Sequence, residues 1–204
     1  MKSEGGNGGI KNKILKNIAI FASGTGSNAT KIVQKFKRNK SIQVALIVSN
    51  KATAPVLEMA AKNNIPTLVI NRTDFYKTEK ILEDLKIHQI DFIALAGFLW
   101  LIPSYLVKAF EKKMINIHPA LLPKYGGKGM YGMNVHEAVW GSREKESGIT
   151  IHYVSEEYDE GNIVYQATCP ILPADEPIDI RNKVLKLEHF YFPRIIASLL
   201  MDDE

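Results

Sequence analysis

Short, almost wholly apolar runs alternate with segments of helical period through the first half of the chain. This alternation narrows the fold more than any other feature. Residues 17–22, 44–48, 68–70 and 92–95 read as strands. Residues 28–38, 54–63 and 74–88 read as helices. Ile32, Val33 and Phe36 share one face of the first helix; Phe75, Ile81, Leu82 and Leu85 share one face of the third. A strand that is apolar on both faces must be covered on both. Such strands, alternating with helices, imply a parallel sheet with helices on each side and right-handed crossovers.

The second half is less regular. Residues 103–110 read as a helix with Pro103 at its start, and 114–117 as a strand. Residues 119–133 form a Pro- and Gly-rich loop, followed by a short helix at 135–140. Two strands, 148–154 and 163–169, flank an acidic turn and suggest an antiparallel hairpin. Residues 178–200 read as a long helix that Pro193 can kink. The expected organisation is a disordered tail at 1–13, rich in glycine, and a single α/β domain, doubly wound, at 14–204.

Composition removes several function classes. At 204 residues with 46% hydrophobic and 24% charged side chains, the chain is ordinary globular protein and long enough to bury a core unaided. The single cysteine, Cys169, allows no internal disulfide, and no Cys–His cluster offers a zinc site. A net charge of +4 favours small anionic ligands without calling for nucleic acid. The longest apolar stretch, 92–102, is too short to cross a bilayer, and no signal-peptide core opens the chain. A cytoplasmic protein without membrane or nucleic-acid partners is expected.

Three segments carry candidate chemistry. Ser23-Gly24-Thr25-Gly26-Ser27-Asn28 joins the first strand to the first helix. Its glycines allow a sharp turn that aims N–H groups at one point beside a helix start, which suits a phosphate or carboxylate. A plain turn with Asn28 as helix cap is the alternative. Gly24-x-Gly26-x-x-Ala29 also fits a dinucleotide fingerprint, but that motif needs an acidic residue after the second strand. Ser49-Asn50-Lys51 stands there instead, so a phosphate monoester fits better than NAD.

Asn116 and His118 lie two apart on a strand and project to one face. An amide and an imidazole side by side can stabilise an oxyanion and move a proton; a structural histidine before Pro119 is the local alternative. The turn Glu156-Glu157-Tyr158-Asp159-Glu160-Gly161 is either a solvated loop with Gly161 at positive φ, or a source of one inward carboxylate. An inward carboxylate would orient His118 and hold it protonated. No G-x-S-x-G is present, and His136-Glu137 lacks the second histidine of a zincin.

Taken in order, the segments IAIFASGTGSN (18–28), AGF (96–98), INIHPALLPK (115–124) and GITIHYV (148–154) with Asp159, and Leu187-Glu188-His189 with Pro193, resemble one family. It is the phosphoribosylglycinamide formyltransferases, folate-dependent enzymes of purine synthesis within the wider formyltransferase superfamily. The resemblance implies a mostly parallel seven-stranded sheet with an antiparallel C-terminal hairpin and helices on both faces. It implies transfer of a formyl group from 10-formyltetrahydrofolate to the amine of glycinamide ribonucleotide, without a metal, by a monomer or homodimer. Gly26, Ser27 and Asn28 would hold the substrate phosphate, and Glu188 the ribose. Asn116 and protonated His118, with Asp159 beside it, would stabilise a tetrahedral oxyanion. Leu99, Trp100, Leu101 and Ile102, with Asn116, Ser155 and Tyr158, would wall the folate site. The Leu122-Pro123 bond would be cis.

Three departures stand out. Trp100 replaces a residue that is often basic. An arginine found in some relatives near the start of the 74–88 helix is missing, with Lys77 nearby, and the loop at 125–133 is long and glycine-rich. Rival readings are a 10-formyltetrahydrofolate hydrolase, a sugar or tRNA formyltransferase, or a non-catalytic nucleotide-binding module. The hydrolase and the tRNA enzyme carry extra domains in known relatives, for which a first strand near Asn17 and a chain end at Glu204 leave no expected room.

Overall fold

The structure is a computed structural model that describes residues 15–201; the tail expected at 1–13 lies outside the described residues. Strands β1 (Lys16–Phe21), β2 (Ile42–Ser49), β3 (Thr67–Val69), β4 (Phe92–Leu95) and β5 (Met114–His118) alternate with helices α1 (Ser27–Phe36), α2 (Pro55–Lys62), α3 (Arg72–Lys77), α4 (Lys80–Ile87) and α5 (Ser104–Ala109). Helix α6 (Met133–Gly141), strands β6 (Glu146–Tyr153) and β7 (Ile163–Pro170), and helix α7 (Pro177–Met201) follow. The strands form one seven-stranded sheet in the order β3-β2-β1-β4-β5-β6-β7. Its pairings are parallel as far as β5 and antiparallel from β5 to β7, as the sequence and the resemblance implied.

Strand β1 shows why its sequence is apolar throughout. Ile18 and Ile20 pack on one side with Ile32 and Phe36 of α1 and Val184 and Phe192 of α7. Ala19 and Phe21 face the other side, against Phe75 of α3, Leu85 of α4 and Leu106 of α5. All four β1 side chains are fully buried. Burying a large apolar side chain on either face contributes roughly 1.5–3 kcal/mol, so neither face tolerates a polar group.

One expectation fails locally. The helix read at 74–88 is two helices, α3 and α4. The Asn71 side chain accepts from the Asp74 N–H and starts α3 early. Thr78 then turns extended, and both its N–H and its hydroxyl donate to the Asp74 carbonyl, which ends α3. Pro193 is buried inside α7, which continues past it to Met201.

The antiparallel pairing of β5 with β6 sets Asn116 opposite His152 and His118 opposite Thr150. Ile115, Ile117, Ile149 and Ile151 all enter the core shared with α1 and α7. The four polar residues therefore share the other face. Thr150, fully buried, donates to the Ala120 carbonyl (2.7 Å) and accepts from Leu122 N–H (2.9 Å) and Gln166 Nε2 (2.8 Å). It thereby pins the chain just after His118, where Leu122-Pro123 is cis. Thr150→Val should cost about 1–3 kcal/mol in urea unfolding, because it leaves buried backbone groups unpaired. A loss below about 0.5 kcal/mol would show that these bonds do not hold the loop.

Candidate active site

The carboxyl ends of β1, β4 and β5 meet a cleft of about 540 Å³, where open α/β sheets place their ligands. The β1–α1 turn forms one wall. Gly26 has a left-handed φ of +72°, and a Cβ there would run into Val56. Glycine is required on both counts. Helix α1 starts at Ser27 with no side-chain cap, so its first N–H groups remain free for an anion. Asn28 is not the cap that a plain turn would need. Its amide instead donates to Glu188 Oε2 at 2.6 Å. Asn28 and Glu188 line the cleft, whereas Gly26 and Ser27 are not among its lining residues. Burial pushes the Glu188 carboxyl up from its ordinary value, against the Asn28 bond and the Arg181 charge.

The opposite wall follows β4. Gly97 is left-handed at φ +76°. Phe98 packs edge-on to Phe21 at 5.4 Å, and the Leu99 N–H donates to Ser23 Oγ at 3.0 Å. Leu99, Trp100, Leu101 and Ile102 line this end of the cleft, and Ser155 and Tyr158 close it from the β6–β7 turn. Lys77 is exposed and is not part of the lining. Helix α3 opens at Arg72, whose guanidinium lies over the rings of Tyr76 (5.6 Å) and Trp100 (6.0 Å).

Between the walls, Asn116, His118 and Asp159 converge. His118 Nδ1 lies 3.4 Å from Asp159 Oδ2, and Asn116 Nδ2 donates to Asp159 Oδ1 at 3.3 Å. The Gly127 N–H donates to Asp159 Oδ2 at 2.9 Å. One carboxylate of the acidic turn thus faces inward. It does so because Asp159 itself takes φ +58°. Gly161, expected at positive φ, is needed for another reason: a Cβ there would collide with the Tyr153 carbonyl. Burial pushes the Asp159 carboxyl up, but the His152 and His118 rings and the Gly127 N–H outweigh it and hold the group below its ordinary value.

Burial and Asp159 act in opposite directions on the charge of His118. His118 is 3% exposed, and loss of solvent pushes its imidazole below the ordinary value. Asp159 and the Tyr125 carbonyl oppose this only in part. The Tyr125 carbonyl lies 2.7 Å from Nε2 and takes that N–H. The second nitrogen, facing Asp159, is left ready to accept a proton.

Sequence reasoning missed His152. Its Nδ1–H donates to the Tyr153 carbonyl at 2.9 Å, leaving Nε2 to accept from Asn116 at 3.1 Å. The signal was present: Thr150 and His152 alternate with Ile149, Ile151 and Tyr153 along the strand. Among the described residues, no group of three or more His, Cys, Asp or Glu is arranged to hold a metal ion.

Comparisons with known proteins show which family the chain belongs to. The profile of the formyl transferase family matches residues 16–196. The chain is 40% identical over 190 residues to the chloroplastic phosphoribosylglycinamide formyltransferase of Arabidopsis thaliana, covering 90% of this chain but only 65% of that relative. It is 37% identical over 191 residues to the phosphoribosylglycinamide formyltransferase of Bacillus subtilis, covering 91% and 95%. The crystal structure of glycinamide ribonucleotide transformylase 1 from Geobacillus kaustophilus matches with a TM-score of 0.82 at 37% identity, covering 91% and 99%. By sequence along nearly all its length, and by fold, the chain belongs to the formyl transferase family.

Proposed function

We propose that the protein transfers the formyl group of 10-formyltetrahydrofolate to the amine of glycinamide ribonucleotide, a step of purine biosynthesis. The convergence of Asn116, His118 and Asp159 in one cleft carries this reading. The cleft supports it at both ends. The free start of α1 suits a phosphate, and Glu188 beside it suits a sugar diol. The apolar channel along Leu99–Ile102 suits a flat ring with backbone groups at its edge. The relatives' names, phosphoribosylglycinamide formyltransferase, support the same formyl acceptor.

The chain's own residues have distinct tasks. The amine adds to the formyl carbon, giving an oxyanion and an ammonium on one tetrahedral centre. Asn116 stabilises the oxygen. Its two amide hydrogens are directed at His152 and Asp159, and the 3.3 Å bond to Asp159 is the longer one, so it is the one an oxyanion replaces. His118, neutral at rest, takes the ammonium proton on the nitrogen facing Asp159. The resulting imidazolium is stabilised by that carboxylate and by the oxyanion. It then returns the proton to N10 as the C–N10 bond breaks, releasing tetrahydrofolate. Atoms balance: one hydrogen leaves the amine and one arrives on N10.

The direct test incubates the protein with 10-formyltetrahydrofolate, with and without glycinamide ribonucleotide. Tetrahydrofolate release that requires the amine supports the transferase. Release without amine indicates a hydrolase, and no release indicates a binding module; either overturns the reading. Asn116→Ala and His118→Ala should each lower kcat by roughly 10²–10³ with the fold intact. A His118→Ala variant with near wild-type kcat would remove His118 from the chemistry.

The pH dependence has a defined sign. A neutral His118 accepts the proton, so activity falls as pH drops through its lowered pKa. Asp159 raises that pKa, so Asp159→Asn should move the acid limb of kcat/KM to still lower pH, beside its loss of rate. An acid limb that stays in place, or moves up, contradicts the electrostatic role.

A further inference from the structure

The wall of the cleft built from α6 and α7 holds a titratable side chain that the reaction scheme leaves unused. His136, in the first half of α6, is 4% exposed yet lines the cavity together with Val184, Leu185 and Glu188 of α7. Its Nδ1 is buried without a hydrogen-bond partner. Buried polar atoms are nearly always paired, and an unpaired one costs stability. A phenyl ring of similar volume would carry no such cost. A proton on Nδ1 would be a buried donor with nothing to receive it, so the proton sits on Nε2.

The surroundings also fix the charge. Burial first, then the Arg181 guanidinium and the His118 ring, push the imidazole down to about 4. Near neutral pH His136 is therefore an uncharged donor. Its place on the wall selects the ligand. Glu188, on the same wall, is bonded to Asn28 at the open start of α1, whereas the aromatic channel of Phe98 and Trp100 lies at the other end. A molecule with a phosphate at α1 and an amine at His118 presents hydroxyl and carbonyl oxygens to this wall. A neutral donor suits those acceptors and does not repel the cationic form of the amine.

We propose that His136 binds the phosphoribosyl substrate, its Nε2–H donating to a hydroxyl or carbonyl oxygen in the ribosyl-glycinamide part of that molecule. The proposal rests on the substrate assignment above and adds a binding residue to it. His136 then sets the affinity for one substrate and leaves the chemical step and the folate end alone.

Two measurements test this. In wild-type protein labelled with ¹⁵N-histidine, saturating glycinamide ribonucleotide should shift the His136 ring nitrogens, while folate alone should not. An unmoved His136 signal overturns the proposal. In steady-state kinetics, His136→Phe should raise KM for glycinamide ribonucleotide roughly tenfold or more, with kcat and the folate KM changed by less than about twofold. His136→Asn, which keeps an N–H donor, should recover part of that loss. Equal changes in both KM values, or a fall in kcat alone, would mark His136 as a packing residue and overturn the proposal. If the wild-type protein releases no tetrahydrofolate with the amine, the parent reading fails. If it does, and KM is unchanged in His136→Phe, only the present proposal fails.

Discussion

The carboxylate of Asp159 is the hub on which the site depends. It stands far along the chain from Asn116 and His118, yet it meets the amide, the imidazole, the His152 ring and the Gly127 N–H within 3.5 Å. A buried anion is costly unless donors surround it. Here the donors and neighbours more than offset burial, and the group stays ionised. The same contacts orient every other reacting side chain. If the carboxylate turned outward, His118 would be left with the Tyr125 carbonyl alone, and Asn116 with only His152.

The sheet explains how such distant groups meet. Five parallel strands bring the β1–α1 turn, the β4 exit and the β5 end to one edge. The switch to antiparallel pairing at β5 then lays β6 alongside, with His152 facing Asn116 and Thr150 facing His118. Helix α7 closes the other side by placing Glu188 against Asn28, 160 residues away in sequence. In the proposed reaction, binding and chemistry fall to different elements: the start of α1 and helix α7 for the substrate, and the β5–β6 pair for the proton and the oxyanion.

Much of this was legible in the chain. The unbroken apolar character of Ile18–Phe21 required a sheet covered on both faces. The spacing of Asn116 and His118 put both on one side of a strand. What escaped has physical reasons. The break at Thr78 depends on a hydroxyl bond to the Asp74 carbonyl that competes with helix continuation. Asn28 looks like a local cap, and only the tertiary contact with Glu188 reveals its partner. The charge of His118 depends on how deeply it is buried, which no local motif encodes. His152 was missed because its role comes from register with β5, not from its neighbours.

The coupling between His118 and Asp159 is the part of the mechanism most open to direct measurement. A double-mutant cycle on kcat/KM, with His118→Ala, Asp159→Asn and the pair, isolates it. If the two act as one unit, the double variant should be scarcely slower than His118→Ala alone. Losses that simply multiply would show that the carboxylate works independently of the imidazole, and Asp159 would no longer be the hub of the site.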